Sequence, residues 1–186
     1  MKVTVTAPGK VNIMGDHAIV HGKPSVLTAV NLRLTCTITD DKTGGLLTIQ
    51  ATESPEYIQH AVDRVKNHFQ IDKLPVMNIK ISSEIPIGYH LGSSAATAVA
   101  TVGAAMYFLK KIWNPQLINQ LAYEVEKEKH GNPSGGDNTA VTFGGLLWYR
   151  KELEFLRSIW QLPFKIPGQL NNFFLIDTGR SKESTG

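Results

Sequence analysis

Pro86-Ile87-Gly88-Tyr89-His90-Leu91-Gly92-Ser93-Ser94-Ala95-Ala96 is a glycine-bearing loop that runs straight into a helix of small residues. Ser93 or Ser94 can cap that helix, and its pattern continues to about Lys111. The first turn of a helix leaves backbone N–H groups unpaired, and the helix dipole adds about half a positive charge there. An anion is therefore favoured at this point. Gly88 and Gly92 let the backbone approach phosphate oxygens with no side chain in the way. The hydroxyls of Ser93 and Ser94 can bond phosphate or ligate Mg²⁺, a hard cation that prefers oxygen. The same residues also read as a capped helix after an ordinary turn.

Upstream of this loop, Val76 to Ser82 alternates as a strand, and Pro55 to Phe69 has helical spacing, with Tyr57, Ile58, Ala61, Val62, Val65 and Phe69 on one face. Leu32 to Thr39 and Leu46 to Ala51 read as a hairpin turning through Asp40 to Gly45. Val3 to Thr6 and Val11 to Met14 read as two strands broken by Pro8-Gly9. Downstream, Pro115 opens a helix to about Lys129, residues 130–136 form a loop, and Leu146 to Tyr149 and Phe173 to Ile176 read as strands. Antiparallel strands followed by helices argue for an α+β fold in one domain over residues 1–186. No unit has the dinucleotide-binding spacing, and there is no GxxxxGK[ST].

Composition narrows the classes. Apolar residues make up 42% and charged residues 19%, as in a globular protein. The net charge of +3 comes from scattered Lys and Arg, so no nucleic-acid surface is expected. The single cysteine, Cys36, excludes an intrachain disulfide and suits a reducing, cytoplasmic setting; it is expected as a buried thiol. The N-terminus has no signal-peptide core. The longest apolar stretch, Ala95 to Leu109, is shorter than the roughly 20 residues a bilayer needs, so no membrane association is expected. Trp113, Trp148 and Trp160 read as core or interface residues, His60 and His68 as surface, and His130 as a loop-shaping residue.

Two further segments carry polar residues in suggestive places. In Glu126-Lys127-Glu128-Lys129-His130-Gly131-Asn132-Pro133-Ser134-Gly135-Gly136-Asp137-Asn138, Asp137 follows a tight loop. It is either a functional carboxylate on a rigid scaffold or a turn cap, and Glu126 is either functional or a solvated helix charge. Ala7-Pro8-Gly9-Lys10-Val11-Asn12-Ile13-Met14-Gly15-Asp16-His17-Ala18-Ile19-Val20-His21-Gly22 packs Lys, Asn, Asp and His between apolar residues, and reads equally as a site or a surface.

Together the three segments resemble the GHMP kinases, the small-molecule kinase superfamily named for galactokinase, homoserine kinase, mevalonate kinase and phosphomevalonate kinase. The loop at Pro86 is similar to that family's ATP loop, P-x-G-x-G-L-G-S-S-A-A, and the likeness spans Ala7 to Gly145. Residues 15–22 and 130–138 look most like the mevalonate kinase branch. The resemblance implies a GHMP N-terminal domain of the ribosomal-protein-S5 domain 2-like type. By the same likeness, Asp137 matches the catalytic carboxylate and Lys10 the lysine paired with it. Ser94 and Glu126 match the Mg²⁺ ligands. Pro86, Gly88, His90, Gly92, Ser93, Ser94 and Ala95 match the ATP loop. Lys10, Asn12, Asp16, His17 and Asp137 match the alcohol-substrate pocket. The activity implied is ATP- and Mg²⁺-dependent phosphorylation of mevalonate to 5-phosphomevalonate, a step of isoprenoid biosynthesis. Another GHMP kinase acting on phosphomevalonate or a sugar, and a non-catalytic half-subunit that binds nucleotide or a partner, are the alternatives.

Three departures from the family pattern stand out. His90 occupies a glycine position of the loop, which predicts crowding or loss of left-handed geometry, or else a histidine that contacts phosphate. Asp16 stands where Glu is usual, one methylene shorter. The sequence ends at Gly186, just after Ile176-Asp177-Thr178-Gly179-Arg180, a segment that resembles the lead into the family's ferredoxin-like C-terminal domain. That domain is expected to be absent from this chain, which leaves an apolar patch exposed; the expected partner is a separately encoded C-terminal half or a second copy of the chain, and the alternative is that the sequence is part of a longer natural chain.

Overall fold

The computed structural model describes residues 1–40, 47–50, 54–164 and 176. The expected turn through residues 41–45, the expected strand at 173–175 and residues 177–180 lie outside the described residues. One sheet carries the fold. Strands β1 (Lys2–Met14) and β2 (Ser25–Asp40) pair antiparallel along their length. The other edge of β2 is shared: Leu34–Asp40 pairs with β4 (Met77–Ser83) and Ser25–Thr28 pairs with β5 (Leu146–Lys151). Strand β3 (Leu47–Gln50) lies outside β4 and runs parallel to it, and β6 (Arg157–Gln161) lies outside β5.

Val3, Val5 and Ala7 of β1, Leu34, Cys36 and Ile38 of β2, and Met77, Ile79 and Ile81 of β4 alternate inward to one buried face. The intervening threonines of β1 are exposed, as in an antiparallel sheet solvated on one side. Helices α1 (Pro55–His68), α2 (Ser93–Lys110) and α3 (Pro115–His130) cover the buried face, and Tyr57, Ile58, Ala61, Val62 and Val65 of α1 point into it as their spacing predicts. Helix α2 is buried nearly all round, which is the mark of a central helix. Its alanines and Gly103 let sheet and neighbouring helices approach together; a Cβ at Gly103 would stand 3.3 Å from the Trp113 ring. Cys36 is fully buried, and desolvation pushes its thiol up to about 12. No helix among the described residues is long and apolar enough to cross a membrane.

Four expectations are corrected. First, β1 is a single strand, because the break at Pro8-Gly9 is absorbed as a bulge: Pro8 faces Arg33 while Gly9 faces Val30. A proline is tolerated there because β1 is an edge strand, where its missing N–H spoils no second ladder. Second, β2 and β3 do not form a hairpin. Strand β4 sits between them, and β3 joins β4 through α1 as a parallel crossover. Third, neither Ser93 nor Ser94 caps α2; Gly92 does so in left-handed conformation. Fourth, the stretch after Gly135 is helical: α4 (Gly136–Phe143) follows the loop directly.

Candidate functional site

Strand β1 just past the bulge that β2 makes at Asn31-Leu32, the loop before α2 and the start of α4 meet at Lys10. The Lys10 N–H donates to the Leu91 carbonyl at 2.9 Å, which ties the strand to the loop. Its side chain runs under Gly92, where a Cβ would lie 2.8 Å from Lys10 Cγ. Lys10 is only 4% exposed, and its Nζ stands 2.8 Å from Asp137 Oδ1. A buried ammonium is costly unless paired. Asp137 supplies the pairing charge while keeping 42% of its own side-chain surface open. The site is thus a buried cation behind an accessible carboxylate, beside the N-terminus of the longest helix described.

Asp137 lies in the first turn of α4, and that turn is fastened from two sides. Toward α3, Asn138 Nδ2 donates to Asn119 Oδ1 at 2.6 Å and to the Asn119 carbonyl at 3.1 Å. Asn119 Nδ2 in turn reaches Thr139 Oγ1, which donates to the Gly135 carbonyl at 2.6 Å. Toward the sheet, Tyr149 and Lys151 leave the same side of β5. The Tyr149 hydroxyl donates to the Ser134 carbonyl at 2.6 Å and Lys151 Nζ to the Pro133 carbonyl at 3.2 Å. Burial pushes the Tyr149 phenol well above its ordinary pKa, so it stays a donor. Gly135 admits this clamp, since a Cβ there would stand 2.8 Å from the Tyr149 hydroxyl.

Ser94 and Glu126 form a second oxygen pair. Freed from any capping role, Ser94 Oγ donates to Glu126 Oε1 at 2.6 Å, across from α2 to α3. Glu126 is 6% exposed, so it is no solvated helix charge. The Tyr57 hydroxyl also donates to Glu126 Oε1, and His130 Nε2 lies 3.8 Å from Glu126 Oε2. One carboxylate and one hydroxyl are hard donors that suit Mg²⁺, which is usually held by one or two carboxylates with water and phosphate completing its shell. Among the described residues no three of His, Cys, Asp and Glu cluster as a metal site, so a cation here would take its remaining ligands from elsewhere.

In the loop, Gly88 (φ 87°) and Gly92 (φ 77°) are left-handed, and nothing lies within 4 Å of a Cβ built at Gly88. Pro86 and His90 are exposed and Ala95 is buried in the first turn of α2. His90 keeps the left-handed conformation of the glycine it stands for, at φ 58°, with its side chain turned to solvent. At the end of β1, Asn12 Nδ2 donates to Asp16 Oδ1, while the buried Asn12 Oδ1 has no partner. Asp16 and His17 are exposed on the turn that follows. The structure therefore joins Lys10 to Asp137, Ser94 to Glu126, and Asn12 to Asp16. Sequence reasoning missed Tyr57, Asn119 and Tyr149. Each looks locally like an ordinary core or helix residue, and its partner lies far along the chain.

The family described as GHMP kinases N terminal domain matches residues 56–145. The mevalonate kinase of Archaeoglobus fulgidus is 35% identical over 176 residues, covering 94% of this chain and 58% of that protein. The mevalonate kinase of Pyrococcus abyssi is 32% identical, covering 88% and 56%. The crystal structure of the Methanococcus jannaschii mevalonate kinase superposes with a TM-score of 0.77 at 25% identity, covering 87% of this chain and 56% of that one. A Streptococcus pneumoniae phosphomevalonate kinase shares the fold, with a TM-score of 0.74 at 19% identity. This chain spans a little over half the length of these mevalonate kinases.

Proposed function

Because this chain carries the N-terminal domain of the GHMP kinases, we propose that it serves transfer of the γ-phosphoryl group of ATP to the 5-hydroxyl of mevalonate, giving 5-phosphomevalonate and ADP in the cytoplasm. The observation that carries this reading is the Lys10–Asp137 pair, 2.8 Å apart, set against the N-terminus of α2. Relatives that bear the name mevalonate kinase support the choice of alcohol.

Asp137 accepts the hydroxyl proton, or orients that hydroxyl, as its oxygen attacks phosphorus and the bond to the leaving ADP oxygen breaks. Lys10 holds the Asp137 carboxylate in place from behind and stabilises negative charge on the transferring group. Gly88, His90, Gly92 and Ser93 wrap the phosphates by backbone N–H groups and the helix dipole. Ser94 and Glu126 hold Mg²⁺, which supplies charge neutralisation on the phosphate oxygens when bound. Asn12, Asp16 and His17 line the alcohol pocket, where the exposed Asp16 and His17 side chains can meet the substrate. Most of the rate enhancement is then positioning and electrostatics.

The test is ADP release by the 186-residue chain with ATP, Mg²⁺ and mevalonate, beside Asp137→Asn. Mevalonate-dependent turnover that vanishes in the variant is expected. Turnover with phosphomevalonate or a sugar instead would replace the substrate. Turnover that appears only on adding a second chain would make this one half of a two-part enzyme.

A further inference from the structure

Glu126 and Ser94 share a third oxygen. Tyr57, in the first turn of α1, is 5% exposed, yet its hydroxyl reaches out of the core to Glu126 Oε1 and lies 3.1 Å from Ser94 Oγ. It also lies 3.3 Å from the Ser94 carbonyl. Three oxygens from three helices therefore converge on one point. We propose that Tyr57 is a positioning residue for the divalent cation, fixing Glu126 and Ser94 before the cation arrives; this rests on the metal reading of those two residues.

The chemistry of the group explains the choice. A carboxylate buried like Glu126 needs hydrogen bonds to hold one rotamer. A lysine or arginine would supply them but would also cancel the charge a cation needs. A phenol orients Oε1 and leaves the negative charge in place. Oε2 is left toward half-exposed His130, the open side of the pair. Ser94 gains as well: its hydroxyl proton has two acceptors, Glu126 Oε1 at 2.6 Å and the Tyr57 oxygen at 3.1 Å, so its lone pairs remain for the cation. The ring is itself held, with Lys129 Nζ 4.3 Å from its centroid. Groups that orient metal ligands in this way are commonly worth 10- to 100-fold in metal affinity, by order of magnitude.

The experiment measures free Mn²⁺ by electron paramagnetic resonance in the full 186-residue chain loaded with a non-hydrolysable ATP analogue. Tyr57→Phe is expected to weaken Mn²⁺ binding roughly 10-fold with metal-free nucleotide affinity unchanged. Wild-type Mn²⁺ affinity in Tyr57→Phe, with binding lost in Glu126→Gln, would overturn the role of Tyr57 and leave the metal site standing. Unchanged affinity in Glu126→Gln would overturn the metal reading itself. A measurement on the unmutated chain guards against a variant that fails to fold. Mg²⁺ added to the nucleotide-bound chain should perturb tyrosine absorption, and a flat difference spectrum would count against the proposal.

Discussion

Gly92 and Gly88 share a backbone sign and differ in surroundings. Both are left-handed, but a side chain at Gly88 meets open space and one at Gly92 meets Lys10. Gly88→Ala should therefore cost only conformational strain, about 1–2 kcal/mol in urea unfolding. Gly92→Ala should cost more, by about a further 1–3 kcal/mol of overpacking, and should slow ADP release by moving the Lys10 side chain. Equal losses in the two variants would show that Lys10 has room to yield. His90 carries the opposite lesson. It pays left-handed strain with an exposed side chain, so His90→Gly should stabilise the fold by about 0.5–1 kcal/mol after the added freedom of the unfolded chain. The glycines of the loop were legible from the sequence as a place for an anion, while Lys10 and Asp137 read on their own equally as surface and turn residues and were singled out only by the family resemblance. Tyr57 was not, because its partners come from two other helices.

At the scale of elements, α4 is the piece to test. Its first turn hangs on Asn138 and Asn119, so Asn138→Ala would leave buried amide groups unpaired and should cost about 1–3 kcal/mol. Tyr149→Phe removes the hydroxyl held by the Ser134 carbonyl. It should cost about 1 kcal/mol of stability and lower kcat more than it raises KM, since the loop it holds places Asp137. Beside this loop, the Lys127 ammonium bonded to Glu154, with Lys151 and Tyr123 adjoining, holds the Glu154 carboxyl down to about 2 from an ordinary 4.5. A carboxylate lowered by folding adds stability that is present above pH 4.5 and is lost as pH falls toward 2. Glu154→Gln should flatten unfolding free energy across that window; a half-exposed group makes the effect small. The helix α4 escaped sequence reading because Gly135-Gly136 signals a turn and only eight helical residues follow it. The parallel β3–β4 pair escaped because hydrophobic alternation marks a strand without naming its neighbour.

For the molecule as a whole, the α+β class was legible, since strand and helix patterns mix without the regular strand–helix repeat of a doubly wound sheet; the strand order was not, because it is settled by contacts across the chain. The surface beyond β5 is strongly apolar: Phe155 is 87%, Phe164 71% and Trp160 67% exposed. An apolar band of this kind should make the chain self-associate and bind hydrophobic dyes. A clean monomer in light scattering, with no dye signal, would sink that expectation. One consequence of the Lys10–Asp137 pair belongs to biosynthesis. The sheet joins segments far apart in the chain, as the contact from Arg150 to the Gly22 carbonyl, 128 residues back, illustrates. As the chain leaves the ribosome, β1 and β2 can zip together while Asp137 is still unmade. Until α4 emerges, the lysine destined for the interior has no counter-charge, and the nascent chain must keep it in water. A message cut short before codon 137 would yield a product that cannot complete its own interior, one that quality-control proteases can recognise by its failure to close.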